Sequence, residues 1–345
     1  MTAEIIIDKF GQGDAVIIYD KGMVIDVLID PPINACFYPP NTFVKAKVLR
    51  KLPNRGGYFI SLPSGEEGFL KSKNQYEQGK VVNVLSKVYF DSEKAQTFTD
   101  QLKLISKYFV LQLGKEGISF SKKTPKSVDK EKAIHLINFI LKGHSNIFVV
   151  CRSAICQLDL KGIEKNLKLI LQKKDEMLNS LNKENEFYDG FARCIAAKRF
   201  DWSLYLVKEE RGIFERLGIW DLLEKLTRNK VFFGEGSYLI LEQTDSFYTI
   251  DVNSGKVLNI TADQLNSKAC DEIYYLIRIL GIGGKILIDF LPCSKSTKRN
   301  IFNKMIKLFE RDEARNMIWG WTKGGSFELV RERDKTPLNI ILRNN

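Results

Sequence analysis

The chain is poor in residues that commonly bind transition metals. Its 345 residues include 2 histidines and 6 cysteines, and no two cysteines form a Cys-x-x-Cys pair. Structural zinc sites need closely spaced thiolate and imidazole ligands, so the sequence does not predict one within the chain. The scarcity of histidine also disfavours nuclease mechanisms that use it as general base. We expect the cysteines to be buried free thiols rather than disulfides.

Long apolar segments are absent as well. Runs such as residues 5–7 and 286–291 are far shorter than the roughly 20 residues that a membrane-spanning helix needs. The first residues combine neither the basic lead nor the apolar core of a secretory signal. These absences predict a soluble, cytoplasmic protein without a membrane span.

Positive charge exceeds negative charge along the chain. Lys and Arg number 53 and Asp and Glu number 42, which gives a formal net charge of +11. Such a balance suits a polyanionic partner, either nucleic acid or an anionic membrane surface. The alternative is a proteome in which lysine is simply common. A length of 345 residues favours two or more domains.

Short alternating strands predict a small barrel of the OB type at residues 39–107. The expected strands are residues 43–49, 57–61, 68–70, 80–90 and 102–113. Residues 42–94 hold 10 Lys and Arg against 5 Asp and Glu. Cations beside aromatics, here Tyr58, Phe59 and Phe69, suit the phosphates and bases of single-stranded nucleic acid. Some of these aromatics must fill the barrel, and the sequence does not say which.

The last third of the chain has the most regular pattern. A predicted hairpin of two strands is followed by helix, strand, helix and strand, which favours an α/β sheet packed by helices. The fold class is therefore predicted to be α/β, as a mixed α+β multidomain chain. A long polar helix at about residues 162–182 has its apolar residues at helical spacing and is expected to be structural.

Two aspartates break the apolar pattern of predicted strands. Asp251 lies late in one strand with Asn253 two residues on, and Asp289 ends the strand after the next helix. A crossover helix would bring both carboxylates to one sheet edge, where open α/β sheets carry their sites. Carboxylates are rarely buried without a partner, and two carboxylates with an amide suit Mg²⁺. The alternative is that each aspartate only caps a turn.

These three residues belong to a longer ordered series. It reads Leu241-Glu-Gln-Thr244, Thr249-Ile-Asp251-Val-Asn253-Ser-Gly255, Asn266, Ala269, Glu272-Ile273, Arg278, Gly283-Gly284-Lys-Ile-Leu-Ile-Asp289-Phe290 and Phe327-Glu-Leu-Val-Arg331-Glu-Arg333. The series closely resembles the catalytic core of the ribonuclease E/G family. More weakly, residues 57–61 and 68–70 resemble that family's S1-type barrel, and residues 117–119 with 152–153 resemble its pocket for an RNA 5′-monophosphate.

The resemblance implies a function and a domain order. Asp251 and Asp289 would hold Mg²⁺, and Asn253 would orient a ligand or the scissile phosphate. The enzyme would cut single-stranded RNA internally, in rRNA or mRNA processing or decay, and leave 5′-phosphate ends. Residues 1–38 with 186–234 would form an RNase H-like subdomain, 39–107 the S1-type OB barrel, 108–185 the 5′-sensor region and 235–345 a DNase I-like catalytic core. RNA contacts would come from Tyr58, Phe59, Phe69, Gly117, Arg152, Ser153 and Arg278.

The chain departs from the family pattern at several points. It holds no Cys-Pro-x-Cys segment of the kind that shares zinc between subunits, so any homodimer is expected to lack a zinc link. The sensor pair is Arg152-Ser153 in place of Arg-Thr, which puts 5′-end sensing in doubt. The alternative function is an RNA-binding paralogue with weak or no cleavage, and a DNA-directed nuclease is a minor third. Three polar groups at one sheet edge favour the enzyme.

Overall fold

The computed structural model describes residues 3–343 apart from 12, 21–22, 32–37, 53–55, 88–94, 123, 126, 201, 235 and 257–259. Its contacts divide the chain into two compact units, Met1–Gly22 with Leu28–Glu210 and Met23–Val27 with Arg211–Asn345. Among the described residues, no helix combines the length and hydropathy that a membrane crossing requires. The five cysteines in the described part are free thiols, as predicted, but the expectation that they are buried is wrong for Cys156, which is exposed. Cys36 lies outside the described part.

The first sheet of the chain has the order β14-β1-β2-β3. Its strands are β1 (Glu4–Phe10), β2 (Gly13–Asp20), β3 (Met23–Ile29) and β14 (Leu206–Glu209). Strands β1 and β2 contain runs of isoleucine whose side chains are buried. Such β-branched side chains favour the extended backbone. β1 pairs with β2 antiparallel and with β14 parallel. The start of the chain thus forms three consecutive strands.

Hydrogen bonds connect this sheet to a helix that occurs much later in the sequence. The helix is α3 (Phe191–Arg199). The main-chain N–H of Ala192 donates to Asp30 Oδ1 at 2.6 Å. The guanidinium of Arg193 donates to Asp14 Oδ2 on β2 and to Glu209 Oε1 on β14, both at 2.5 Å. One arginine therefore joins a helix and two strands that are far apart in sequence.

A five-stranded barrel follows, as predicted. Its strands are β4 (Thr42–Leu52), β5 (Gly57–Ser61), β6 (Glu67–Lys71), β7 (Val81–Ser86) and β8 (Gln96–Thr99), and β13 (Phe187–Tyr188) extends it beside β4. The order is β13-β4-β5-β6-β8-β7, and pairing of β4 with β7 closes an OB-like barrel. The fifth strand is β8, so the prediction of residues 102–113 as the last barrel strand was wrong. The end of the predicted strand at residues 88–90 lies outside the described part.

Residues 102–113 belong to a separate sheet because their apolar side chains enter a different core. That sheet, of order β11-β12-β10-β9, contains β9 (Lys103–Ile105), β10 (Phe109–Leu113), β11 (Gly117–Phe120) and β12 (Ile147–Cys151). Leu104 and Phe109 pack with the helices α1 (Lys130–Ile140) and α2 (Leu160–Asn182). The barrel has its own core around Val44, Ile60 and Phe98. The apolar stripe of α2 faces this second sheet, which confirms its predicted structural role.

The second unit is a six-stranded sheet of order β15-β16-β17-β18-β20-β19. Its strands are β15 (Lys230–Phe233), β16 (Ser237–Gln243), β17 (Tyr248–Asn253), β18 (Gly284–Asp289), β19 (Asn316–Trp321) and β20 (Phe327–Arg331). Its helices are α4 (Ile213–Arg216), α5 (Ile219–Leu226), α6 (Ala262–Leu280), α7 (Lys295–Phe309) and α8 (Leu338–Arg343). The predicted hairpin, α6, β18 and α7 are confirmed, and strand β15 was not predicted from the sequence.

The two faces of this sheet differ in burial. Ile250, Ile288 and Phe327 are at most 1% exposed and lie on the face that carries α6 and α7. On the opposite face, Asp251, Asp289 and Lys285 are exposed. We call this second surface the open face. Alternation along each strand produces the contrast, since successive side chains point to opposite faces.

Candidate active site

The strands β17 and β18 lie side by side and run in the same direction. Helix α6 connects them, as a crossover between parallel strands requires. Their register pairs Asp251 with Asp289 near the carboxyl ends of both strands. Because neighbouring strands are about 4.8 Å apart, the two carboxylates leave the sheet from adjacent positions. The predicted meeting of the two aspartates at one sheet edge is confirmed at the level of strand register.

Both aspartate side chains lie on the open face. The residues just before them, Ile250 and Ile288, are at most 1% exposed and face the helices. Asp251 and Asp289 themselves are exposed. The expectation that these carboxylates would be buried was wrong, because each strand is buried on one face only. Exposed carboxylates need no buried partner, so burial gives no evidence for a site here. The evidence is instead that the two carboxylates lie side by side on neighbouring strands.

Asn253 extends this pair along β17. It is two positions after Asp251, so both side chains leave the same face of the strand. The Nδ2 of Asn253 donates a hydrogen bond of 2.9 Å to Asp251 Oδ2. This bond holds one carboxylate oxygen of Asp251 in place. The side-chain oxygen of Asn253, Oδ1, takes no part in it and can accept from or coordinate a ligand.

A buried amide fixes the segment that follows Asp289. Asn266 on α6 is 0% exposed. Its Nδ2 donates to the carbonyl oxygen of Leu291 at 2.9 Å, and its Oδ1 accepts from the N–H of Leu291 at 3.0 Å. No separate role for Asn266 was predicted from the sequence. The available signal was its position within the apolar stripe of α6, where a polar residue requires a buried partner.

The oxygen donors at this edge fit a hard divalent cation. Two carboxylates and an amide oxygen are the ligand types that Mg²⁺ prefers, usually with several waters or substrate phosphates in the remaining positions. No cluster of three or more His, Cys, Asp or Glu side chains suited to a metal occurs in the described part of the chain. A cation bound by Asp251 and Asp289 would therefore depend on water and phosphate for its other ligands, and the exposed edge leaves space for them.

The barrel aromatics divide into an inner and an outer set. Tyr58 is 3% exposed and packs in the barrel core, where its hydroxyl donates to the carbonyl oxygen of Asn74 at 3.1 Å. Phe59 and Phe69 are register partners on β5 and β6, are half-buried, and have ring centroids 6.4 Å apart. The guanidinium of Arg50 lies 4.7 Å from the centroid of the Phe59 ring. Tyr58 is thus one of the core-filling aromatics, and Phe59 and Phe69 form an outer surface with Arg50.

The predicted 5′-sensor residues lie in the sheet beside the barrel, but not at one point. Gly117 pairs with Phe148 across β11 and β12, four positions before Arg152, which is roughly 13 Å along the strand. Arg152 Nη1 donates to the carbonyl oxygens of Ser106 at 2.8 Å and Lys107 at 3.1 Å. Ser153 begins the short 3₁₀ helix directly after Arg152. The register brings Arg152 and Ser153 together and leaves Gly117 at the other end of β11.

Arg278 lies away from the aspartate edge. It belongs to the last turn of α6, and this helix runs back from the carboxyl end of β17 to the start of β18. Its guanidinium lies 5.5 Å from the centroid of the Tyr274 ring, and Nη2 is 3.9 Å from Asp26 Oδ2. Arg278 is therefore near the sheet edge opposite to Asp251, where it contacts Tyr274 and Asp26.

Comparison with known proteins covers the part of the chain that holds this site. The ribonuclease E/G family model matches residues 190–334. Residues 190–334 are therefore similar to the ribonuclease E/G family. The matched region includes Asp251, Asn253, Asp289 and Arg278, and it excludes the closed barrel and Arg152.

Curated relatives match over a similar share of the chain. Ribonuclease G of Haemophilus influenzae is 28% identical over 163 residues, 46% of this chain and 32% of that protein. Ribonuclease G of Escherichia coli is 25% identical over 138 residues, 38% and 28% of the two chains. The ribonuclease E/G-like protein of Porphyra purpurea is 29% identical over 149 residues, 41% and 29%. The alignments thus span less than a third of each relative's length.

Proposed function

We propose that the chain is a Mg²⁺-dependent endoribonuclease that cuts single-stranded RNA and leaves 5′-phosphate ends. Asp251 and Asp289 are the metal ligands, and Asn253 orients a ligand or the scissile phosphate. The observation that carries the proposal is the register of Asp251 with Asp289 on parallel strands, inside the region that matches the ribonuclease E/G family. The matching relatives include two proteins named Ribonuclease G, which supports RNA as the substrate.

The division of work at the site follows from its contacts. A bound Mg²⁺ supplies a more acidic water and positive charge beside the scissile phosphate. The Nδ2 of Asn253 holds Asp251 Oδ2 by its 2.9 Å hydrogen bond, so this carboxylate is oriented before substrate arrives. Asn266 anchors Leu291 and thereby limits movement of the chain that leaves Asp289. Such prior orientation reduces the reorganisation needed when charge develops on the phosphate.

The proposal extends to the first unit. Phe59 and Phe69 with Arg50 offer rings for bases and a cation for phosphate, as single-strand binding requires. Arg152 and Ser153 would bind a 5′-monophosphate through guanidinium and hydroxyl donors, with Gly117 at the far end of the same sheet.

For the domain order we propose an RNase H-like subdomain (1–38 with 186–234), an S1-type barrel (39–107), a sensor region (108–185) and a DNase I-like core (235–345). Cytoplasmic location and a homodimer without a zinc link stay predictions, the latter open to sedimentation in EDTA and in zinc.

A cleavage assay tests the function. The protein is expected to cut a 5′-monophosphorylated, AU-rich single strand in Mg²⁺, and EDTA is expected to stop the reaction. Asp251→Asn should abolish cleavage, because it removes one of the two negative charges that attract Mg²⁺. It should leave RNA binding intact, because residue 251 is not part of the barrel. The matched control is Asp245→Asn, an exposed aspartate in the turn between β16 and β17, which should cleave normally.

The outcomes separate the two candidate functions. Cleavage by Asp251→Asn at the wild-type rate would remove this aspartate from the proposed site. Tight RNA binding without any cleavage by the wild-type protein would favour the RNA-binding paralogue. Cleavage of single-stranded DNA at the rate seen with RNA would favour the DNA-directed nuclease.

A further inference from the structure

One cation and two aromatic rings pack together on the open face of the second sheet. They are Lys230 and Phe232 on β15 and Tyr238 on β16. The Nζ of Lys230 lies 3.6 Å from the centroid of the Tyr238 ring and 5.0 Å from that of Phe232. The two ring centroids are 5.7 Å apart. We call these three residues the Lys230 cluster.

The Lys230 cluster is adjacent to the aspartate edge. Tyr238 is the register partner of Asn253, and Ile240 is the register partner of both Asp251 and Lys230. The cluster is thus one to three strands from the carboxylates, or about 5–15 Å across the sheet. A strand of RNA whose phosphate lies at Asp251 and Asp289 would carry its next nucleotides across these side chains.

The cluster has the groups that such a nucleotide needs. Phe232 is 63% exposed, and an exposed ring offers a stacking surface to any base. Among the residues that the structure describes, Lys230 contacts aromatic rings and none of the ion pairs involves it. Its charge is therefore not neutralised by a neighbouring carboxylate in that part of the chain. A ring for the base and a cation for the phosphate occur side by side.

We propose that Lys230, Phe232 and Tyr238 form a subsite that holds one nucleotide of single-stranded RNA beside the scissile bond. The base stacks on Phe232, and the phosphate lies near Lys230 Nζ. This assignment rests on the proposed ribonuclease function. RNA is the occupant that fits the position, since a docked protein would cover the neighbouring Asn253 and Asp251, whereas a strand that enters the aspartate edge uses both surfaces.

The test combines a protein variant with RNA that lacks single bases. In EDTA, Phe232→Ala is expected to bind a short single strand roughly 5- to 150-fold more weakly, the loss that removal of one base–aromatic stack produces. In wild-type protein, an abasic nucleotide at one position next to the cleavage site should cause a similar loss. In Phe232→Ala that sensitivity should disappear at this position and persist at the others. In Mg²⁺, the variant should raise KM more than it lowers kcat.

Two further variants sharpen the result. Phe139→Ala is the matched control, because Phe139 on α1 is 66% exposed and also has a lysine, Lys142, 5.4 Å from its ring centroid; it should bind RNA as the wild type does. Lys230→Gln keeps most of the side-chain stem and removes the charge. It should reduce the salt dependence of binding by about 0.7 in the slope of log K against log salt, the value for one phosphate contact on a single strand.

The outcomes distinguish this inference from the proposed function. Binding by Phe232→Ala equal to wild type for every abasic RNA overturns the subsite. A changed sedimentation of Phe232→Ala alone, with unaltered RNA binding, also overturns it and makes the surface a contact between copies of the chain. If the abasic pattern is found but the wild-type protein never cleaves, the subsite stands as an RNA-binding site and the ribonuclease function fails.

Discussion

Two asparagines act in different ways at the proposed site. Asn253 is half-buried and hydrogen-bonds directly to Asp251, whereas Asn266 is fully buried and binds only the main chain of Leu291. The first is placed to contact a ligand, and the second positions the chain next to Asp289. An amide suits the second role because it matches one N–H and one carbonyl at the same time. Neither a carboxylate nor an apolar side chain could do so.

At the scale of a residue, Asn266→Ala is expected to lower the free energy of unfolding by about 2–3 kcal/mol, since two buried main-chain groups lose their partners. We also expect the Mg²⁺ concentration for half-maximal cleavage to rise, because Asp289 becomes less well positioned. Urea unfolding and an Mg²⁺ titration measure the two effects. The control is Asn303→Ala, an exposed helical asparagine on α7. An equal loss of stability in both variants would contradict the anchoring role.

At the scale of elements, charged side chains join helices to strands within the first unit. Arg193 on α3 binds Asp14 on β2 and Glu209 on β14, and Lys9 on β1 also binds Asp14. Burial is the largest single effect on Asp14 and by itself raises its pKa. The hydrogen bonds and charges of Arg193 and Lys9 together outweigh burial and hold the pKa of Asp14 below its ordinary 3.8. The ionised form of Asp14 is therefore favoured by folding.

This arrangement predicts a pH-dependent stability. Because the folded-state pKa of Asp14 is below the unfolded value, its stabilising contribution is fully present above the unfolded pKa and is lost as pH falls through the folded pKa. At pH 7, Asp14→Asn should lower the free energy of unfolding by about 1–2 kcal/mol, allowing for the exposure of its partners. The difference from wild type should shrink below about pH 4. Asp20→Asn, on the same strand, is the control in urea unfolding at each pH, and a difference independent of pH would refute the assignment.

At the scale of the whole molecule, the formal net charge of +11 bears on RNA binding. Single-stranded RNA releases counterions when cations meet its phosphates, so log K should fall linearly with log salt, with a slope of about −0.7 per contact. For about five contacts, binding should weaken on the order of 100-fold between about 50 and 200 mM salt. Fluorescence anisotropy measures the slope. A peptide nucleic acid of the same base sequence is the control, because its neutral backbone should show almost no salt dependence; equal slopes would exclude phosphate contacts as the source of affinity.

The strand and helix pattern of the second unit was predictable because local signals agreed there. The box of Thr261 and Gln264 starts α6, Gly281 ends it with a φ of 70°, and apolar residues repeat between them. The limits of the barrel in the sequence were harder to predict. Residues 102–113 alternate much as a barrel strand does, and only the core they enter assigns them to another sheet. Lys230–Phe233 is a four-residue edge strand with little pattern of its own, so its pairing with β16 is a tertiary result.

The sequence by itself determined which residues we propose as the site. Asp251, Asn253 and Asp289 were identified from an ordered series that local spacing preserves, and the crossover rule already placed both aspartates at one edge. Only the tertiary structure decided that these carboxylates are exposed, that Tyr58 is internal while Phe59 and Phe69 are outside, and that the Lys230 cluster lies beside Asn253. Register and the choice of buried face depend on pairings between distant segments, and a shift of one residue would exchange the two faces. The aspartates could therefore be identified from the sequence, whereas the residues that surround them could not.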